Sequence, residues 1–158
     1  MYTTPWRLPL PTSSGWALTW LTLPARRESL DKFRNFVLDA AASLALPRDV
    51  LGKVDLVLEE VLLNVMDYAY VPKENGSMDV GCGRAGERLF RFVVRDQGRP
   101  FNPLTQKLPD PTKGIEQREV GGMGVFLTRQ MADQLHYRHE GGRNILEVDF
   151  KINASSST

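Results

Sequence analysis

The sequence predicts an α+β fold, a two-layer α/β sandwich in which helices cover one face of a mixed, mostly antiparallel sheet. Three observations predict it. The chain has 158 residues, enough for one domain with a sizeable buried core. Its apolar residues recur at helical spacing in some segments and alternate at strand spacing in others, in the order β-α-α-β-β-loop-α-β-β. Turn signals join neighbouring strands, which favours antiparallel pairing.

The first half of the chain predicts one strand and two helices. A segment rich in Trp, Leu and Thr begins near Trp16 and suits a strand that ends at Pro24. Apolar residues then recur every three or four positions over 26–46 and again from 47 to about 70. Each run stops before a proline, which disfavours helix at the preceding residue. A turn signal, Asn75-Gly76, follows the second helix.

The next two segments, 78–82 and 89–94, predict an antiparallel pair. In the second, apolar side chains alternate with Arg91 and Arg95, which we expect on a solvated or partner-binding face. Continuing the alternation places Asp96 on the apolar face. A carboxylate there is expensive to bury unless a donor meets it.

The last third of the chain predicts a loop, a helix and a second hairpin. Residues 97–121 contain four prolines and no sustained periodicity, as in long loops that act as lids or binding loops. A helix is expected from 122 to about 134, followed by a hairpin that turns at 141–142. The expected organisation is a flexible proline-rich arm at 1–13, the domain at 14–152 and a disordered tail at 153–158.

Composition excludes several classes of protein. Hydrophobic residues make up 42% and charged residues 25%, as in globular rather than disordered chains. The formal net charge of +1 gives no general attraction for nucleic acid. Cys82, His136 and His139 are the only cysteine and histidines, too few for a disulfide or a zinc cluster. Without a membrane span or a secretory signal pattern, we expect a cytoplasmic protein with no membrane contact.

Glu60 and Asn64 form the first candidate functional pair. They lie four positions apart, so both side chains share one face of the second helix, beside Lys53 and Asp67. An amide oxygen is a suitable ligand for Mg²⁺, and the carboxylate could accept a proton from a hydroxyl. The alternative interpretation is an ordinary solvated helix face.

Asp96 and the glycine-rich segment 121–124 are the other candidates. Asp96 precedes Gly98 and could be a buried acceptor for a ligand amine, or a turn aspartate bonded to nearby backbone amides. The glycine-rich segment opens a helix, where free amides and the helix dipole favour phosphate. An ordinary flexible loop leading into a helix is the alternative there.

In this order the three features resemble the N, G1 and G2 boxes of the GHKL ATP-binding superfamily. Within it, the chain is most similar to the anti-sigma-factor serine/threonine kinases, the switch kinases of bacterial partner-switching systems. The likeness spans about 16–152 and includes Asp67-Tyr68-Ala69-Tyr70 and Pro100-Phe101-Asn102-Pro103. The chain departs from the family pattern at three positions. Leu63 stands where several members have Thr or Ser, Tyr68 where a His is often found, and Val120 where some have Arg.

The resemblance implies a role for each box. Asn64 would coordinate the Mg²⁺ that bridges the ATP phosphates, and Glu60 would be the catalytic base for a substrate serine. Asp96 would accept a hydrogen bond from the adenine amino group, with Gly98 leaving room for the base and 99–120 forming the ATP lid. Further nucleotide contacts are expected at Asp67, Pro100, Phe101, Gly121, Gly122, Met123, Gly124 and Val125.

The function implied by the resemblance is an ATP-dependent kinase. It would phosphorylate a STAS-domain anti-anti-sigma protein and alternately sequester a sigma factor or other regulated target, without touching nucleic acid. The family also implies a homodimer. The alternative is a binding module gated by ATP, without significant kinase activity.

Overall fold

The computed structural model describes residues 16–70, 76–100 and 128–152, which form a five-stranded sheet with two α-helices packed on one face. A 3₁₀ turn at Arg27–Ser29 precedes the first helix, and a π-helical turn at Val65–Ala69 continues the second. The main elements are β1 Thr19–Pro24, α1 Leu30–Ser43, α2 Arg48–Asn64, β2 Ser77–Gly86, β3 Leu89–Asp96, β4 Gln134–Glu140 and β5 Arg143–Lys151. The predicted α+β sandwich is confirmed.

The strands lie in the order β1-β2-β3-β5-β4. All four pairings among the described strands are antiparallel, so the mostly antiparallel sheet is confirmed and its described part contains no parallel pair. Because β5 lies between β3 and β4, the end of β3 lies beside the start of β5. Asp96 is thereby paired with Asn144.

One face of the sheet carries the core. Phe90, Phe92 and Val94 alternate along β3 as predicted and are buried. The Phe92 ring stacks on that of Phe150 from β5, with 6.0 Å between the centroids. The helices contribute residues at helical spacing, namely Phe33, Val37, Ala41, Val50, Val54, Val57, Leu58, Val61 and Leu62. The apolar faces predicted from the helical and the strand periodicity therefore pack against each other in one layer.

The opposite face of the sheet carries the alternating arginines. Arg91 forms a two-pronged ion pair with Asp149, with Nε 2.6 Å and Nη2 2.9 Å from its carboxylate oxygens. Arg95 is only 8% exposed, and its guanidinium lies 3.9 Å from the centre of the Trp20 ring. The alternation was predicted, but a solvated environment is wrong for Arg95, because β1 places an indole over it.

Several element boundaries differ from the sequence prediction, most clearly those of the helices. Helix α1 begins at Leu30, after the 3₁₀ turn, and α2 gives way to the π turn after Asn64. The helix expected to reach 134 is wrong at its end, since Gln134 already belongs to β4. Residues 128–131 are helical, and the Asp133 N–H then donates to the carbonyl of Asp149 in the sheet, at 2.9 Å.

Several predicted segments lie outside the described residues. These are the arm at 1–13, all of the expected lid after Pro100, the glycine-rich segment and the tail at 153–158. Within the described ranges, no helix combines the length and the apolar character needed to cross a bilayer.

Candidate functional site

Helix α2 positions Glu60 and Asn64 near its C-terminal end. Its apolar stripe, which includes Val57, Val61 and Leu62, faces the core. Glu60 and Asn64 lie beside this stripe and are both half-buried. The pair therefore lies at the margin of the core and not on a fully solvated helix face.

The two adjacent carboxylates of α2 have different electrostatic environments. Burial raises the pKa of Glu60, and the negative charge of Glu59 raises it further. Glu59 instead attracts Arg34 of α1, whose guanidinium makes a two-pronged pair with Asp55 at 2.9 and 3.0 Å. The raised pKa of Glu60 suits a proton acceptor, because a base with a raised pKa holds a proton more strongly.

The π turn after α2 is held by an ion pair. Both carboxylate oxygens of Asp67 accept from Arg27, from Nε at 3.2 Å and from Nη2 at 3.0 Å. This pair ties the turn before α1 to the turn after α2. In the described part of the chain Asp67 thus supports the helix end, and its expected contact with nucleotide stays a prediction.

Asp96 lies at the end of β3 and is 5% exposed. Its Oδ1 accepts from the backbone N–H of Gly98 and from Nδ2 of Asn144, both at 2.9 Å. Burial raises the Asp96 pKa, while these two hydrogen bonds and nearby His139 lower it. Asp96 therefore makes the turn hydrogen bond of one interpretation and is buried as the other requires, while its role as an acceptor for a ligand amine stays a prediction.

The sequence did not predict the polar side chains of β4 and β5 that form a hydrogen-bond network with Asp96. Asn144 also donates from Nδ2 to the carbonyl of Arg99 at 2.8 Å, and its Oδ1 accepts from the hydroxyl of Tyr137. His139 Nδ1 lies 3.3 Å from the same Oδ1. A signal was present, because Asn144 precedes the apolar alternation of β5 just as Asp96 ends that of β3.

The end of α2 packs directly on the segment after Asp96. The Arg99 N–H donates to the carbonyl of Ala69 at 3.0 Å. A Cβ at Gly98 would overlap the Ala69 carbonyl oxygen and lie 2.6 Å from its carbon. The Tyr70 hydroxyl donates to the Ser77 carbonyl and accepts from the Gln97 N–H. Gly98 is therefore needed for this backbone contact, and its effect on the base stays a prediction.

Part of the expected site lies outside the described residues. Pro100 is exposed at the edge of the described range. The residues beyond that range are Phe101, Gly121, Gly122, Met123, Gly124 and Val125. The described residues thus bring together the end of α2 and the Asp96 segment, and the phosphate-binding half of the site remains a prediction.

A family model described as the histidine kinase-like ATPase domain matches residues 23–150. The chain belongs to this family. Membership confirms the resemblance drawn from the three boxes. It also indicates a domain of the ATP-binding type.

Similar proteins carry a more specific name. This histidine kinase-like ATPase domain is 27% identical over 150 residues to the serine-protein kinase RsbW of Halalkalibacterium halodurans, covering 87% of this chain and 91% of the relative. It is 24% identical over 127 residues to the serine-protein kinase RsbW of Bacillus subtilis, covering 77% and 78% of the two chains. These are the relatives that the predicted switch-kinase likeness anticipates.

One solved structure supports the fold. The RsbU and RsbW domains of Rv1364c from Mycobacterium tuberculosis align with a TM-score of 0.62 at 14% identity. The alignment covers 86% of this chain and 32% of the solved chain, so this chain spans about a third of that protein. At this identity the likeness shows the fold alone.

The described residues fit a nucleotide better than a metal cluster. Asp96 is a buried acceptor that suits the amine of a base. Within 16–70, 76–100 and 128–152, no group of three His, Cys, Asp or Glu side chains could hold a metal ion. If the Asn64 amide oxygen held a magnesium ion, no such cluster within these ranges would supply its other ligands, and phosphate oxygens of a nucleotide would suit that role.

Proposed function

We propose that this protein is an ATP-dependent serine/threonine kinase and anti-sigma factor of a bacterial partner-switching system. It phosphorylates a STAS-domain anti-anti-sigma protein and sequesters a sigma factor or other target, and it acts as a homodimer in the cytoplasm. One observation carries the proposal. Glu60, with a raised pKa, shares a helix face with Asn64, and the end of that helix packs on the segment of buried Asp96.

The proposed roles are those that the family resemblance implies for these residues. Asp96 accepts a hydrogen bond from the adenine amine, and Glu60 takes the proton of the substrate hydroxyl as that oxygen bonds to the γ-phosphorus of ATP and ADP leaves. The Asn64 amide oxygen holds Mg²⁺, which neutralises phosphate charge when bound. Family membership and the similarity to RsbW kinases support this assignment.

The experiment that tests this function is intact-mass spectrometry. The purified protein is incubated with Mg·ATP and a candidate STAS protein from the same genome. We expect the partner to gain one phosphate with the native protein and with Glu59→Gln, and none with Glu60→Gln. Nucleotide binding should survive in Glu60→Gln. Equal transfer by Glu60→Gln and the native protein would refute the role of Glu60 as base.

One observation favours the alternative, an ATP-gated binding module. Asn144 Nδ2 donates both to Asp96 and to the carbonyl of Arg99, so a ligand at Asp96 is linked to the first residue of the expected lid. Partner capture that requires ATP but leaves every mass unchanged would select this alternative. Light scattering of the purified chain tests the homodimer.

A further inference from the structure

The hydrogen bonds behind Asp96 point to a further residue that controls base recognition, an inference that rests on the proposed nucleotide binding. We propose that Asn144 is a positioning residue that holds the Asp96 carboxylate with Oδ2 open to the ligand. It thereby sets a preference for 6-amino purines over 6-oxo purines. Asn144 acts through Asp96 and need not touch the nucleotide.

The orientation of the Asn144 amide is determined by its partners. Its Nδ2 donates to Asp96 Oδ1 at 2.9 Å and to the Arg99 carbonyl at 2.8 Å, while its Oδ1 accepts from the Tyr137 hydroxyl. Rotating the amide by half a turn would set its oxygen against two other acceptors. The NH₂ group is therefore held on Asp96, because only a donor is favourable there.

The same contacts leave one oxygen of Asp96 for a ligand. Oδ1 already accepts from Asn144 and Gly98, whereas Oδ2 receives no hydrogen bond from the residues that the structure describes. A carboxylate that is 5% exposed gains most from a ligand that donates an N–H. The 6-amino group of adenine is such a donor. A 6-oxo purine has a carbonyl oxygen at that position, and this oxygen and Asp96 Oδ2 are both acceptors, so they cannot form a hydrogen bond.

Loss of Asn144 changes what Asp96 can recognise. The Asn144 hydrogen bond is one of the interactions that lower the Asp96 pKa against the effect of burial. In Asn144→Leu, which has similar volume and no donor, Asp96 binds a proton more readily. A protonated carboxyl can donate to a 6-oxo group, so discrimination between the two bases decreases.

The test is isothermal titration of the full chain with Mg·ADP and Mg·IDP at pH 7. We expect the native protein to prefer ADP, and Asn144→Leu to reduce the ratio of ADP to IDP affinity by at least about tenfold, the effect of one charge-assisted hydrogen bond. Tyr137→Phe removes the hydroxyl that donates to Asn144 Oδ1 and should reduce the affinity ratio by less than Asn144→Leu does. His136→Ala, an exposed change on β4, is the matched control and should leave it unchanged.

Each outcome decides one of the two hypotheses. An unchanged ratio in Asn144→Leu, or equal losses for both nucleotides, would overturn the positioning role while leaving nucleotide binding intact. If Asn144→Leu does not fold, the ratio in Tyr137→Phe decides in the same way. Binding of neither nucleotide by the folded native protein would refute the proposed function itself.

A pH series supplies a readout that a purely structural role would not change. An ionised Asp96 accepts more strongly from the adenine amine than a protonated one, and its pKa should be higher in Asn144→Leu. As pH is lowered, ADP affinity should therefore begin to fall at a higher pH in the variant than in the native protein, while IDP affinity rises. His139 of β4, which also acts electrostatically on Asp96, is the same in both proteins. Parallel pH profiles for the native protein and the variant would contradict the proposal.

Discussion

At the scale of single residues, three polar side chains interrupt or border apolar patterns. Glu60 lies beside the buried stripe of α2, and Asp96 and Asn144 lie at the ends of the apolar alternation of β3 and β5. Each is partly or fully shielded from water. In such surroundings an unpaired charge or a polar group without a hydrogen bond costs more free energy than it does in water. Such positions are where recognition and proton transfer are expected.

Glu59→Gln should shift the pH dependence of phosphate transfer. If Glu60 is the proposed base, transfer requires its ionised form, so the rate should rise with pH through the raised Glu60 pKa and level off above it. Removing the Glu59 charge lowers that pKa, because an adjacent negative charge disfavours ionisation. We expect the acidic limb of the rate profile to move to lower pH.

The matched control for this shift is Asp39→Asn, an exposed carboxylate of α1. Its rate profile should coincide with that of the native protein. An acidic limb that does not move in Glu59→Gln would mean that a group other than Glu60 limits the rate.

Asp96→Asn should abolish nucleotide binding and stabilise the protein without ligand. Burial raises the Asp96 pKa above its value in the unfolded chain, so stability is lost as pH rises and the buried carboxyl must ionise. An amide avoids that cost. We expect a gain of about 1 kcal/mol at pH 7, or about 2–4 °C in Tm, and a smaller gain near pH 4.

Thermal unfolding at the two pH values measures this effect, with Asp39→Asn again as the control. A gain of the same size at both values would show that packing, and not ionisation, is responsible. Lower stability at pH 7 would contradict the prediction.

At the scale of elements, the contact between the end of α2 and the end of β3 organises the site. The π turn presents the Ala69 carbonyl to the Arg99 N–H, and Gly98 lies against the same peptide. π-Helical turns occur often at functional sites, since the extra residue changes the direction of the helix end. Asp67 and Arg27 hold the turn from the other side.

Gly98→Ala should destabilise the protein by about 2 kcal/mol or more, because its Cβ would overlap backbone atoms of Ala69 that cannot rotate away. Gly52→Ala is the matched control. Its Cβ would meet nothing within 4 Å on the exposed side of α2, so we expect a gain of about 0.5–1 kcal/mol from helix propensity. Urea denaturation measures both free energies of unfolding, and equal effects of the two changes would refute the close contact.

At the scale of the whole molecule, one apolar layer joins the helices to the sheet. Phe33 of α1 and Phe92 of β3 are both fully buried in it, although they lie far apart in the sequence. The antiparallel order β1-β2-β3-β5-β4 then places Asp96 next to Asn144, 48 residues away. The core and the polar network behind Asp96 thus depend on the same strand order.

Phe33→Ala should lower the free energy of unfolding of the entire domain by about 3–5 kcal/mol, because it leaves a cavity between α1 and the core. Phe36→Ala is the matched control, since Phe36 is only partly buried and should cost about half as much. Guanidinium denaturation followed by fluorescence and by circular dichroism measures both. Separate transitions for the two probes would indicate that the helices and the sheet do not unfold together.

Prediction from the sequence succeeded where the signal was local. The alternation in β3 placed Asp96 on the core face, and the four-residue spacing placed Glu60 and Asn64 on one face of α2. It failed for the burial of Arg95, which depends on Trp20 from another strand. It also failed at the end of the helix predicted from 122 to about 134. Gln134 is the first residue of β4 there, because it pairs with Asp149 of β5.

The sequence by itself determined the α+β class, the core face of each long element and the candidate residues Glu60, Asn64 and Asp96, because side-chain periodicity is a property of a single segment. Tertiary structure alone decided which polar groups meet. Asn144 reaches Asp96, and Gly98 reaches Ala69, only because β5 lies beside β3 and the segment after α2 packs on the end of β3. Such contacts join distant segments, so local spacing cannot specify them.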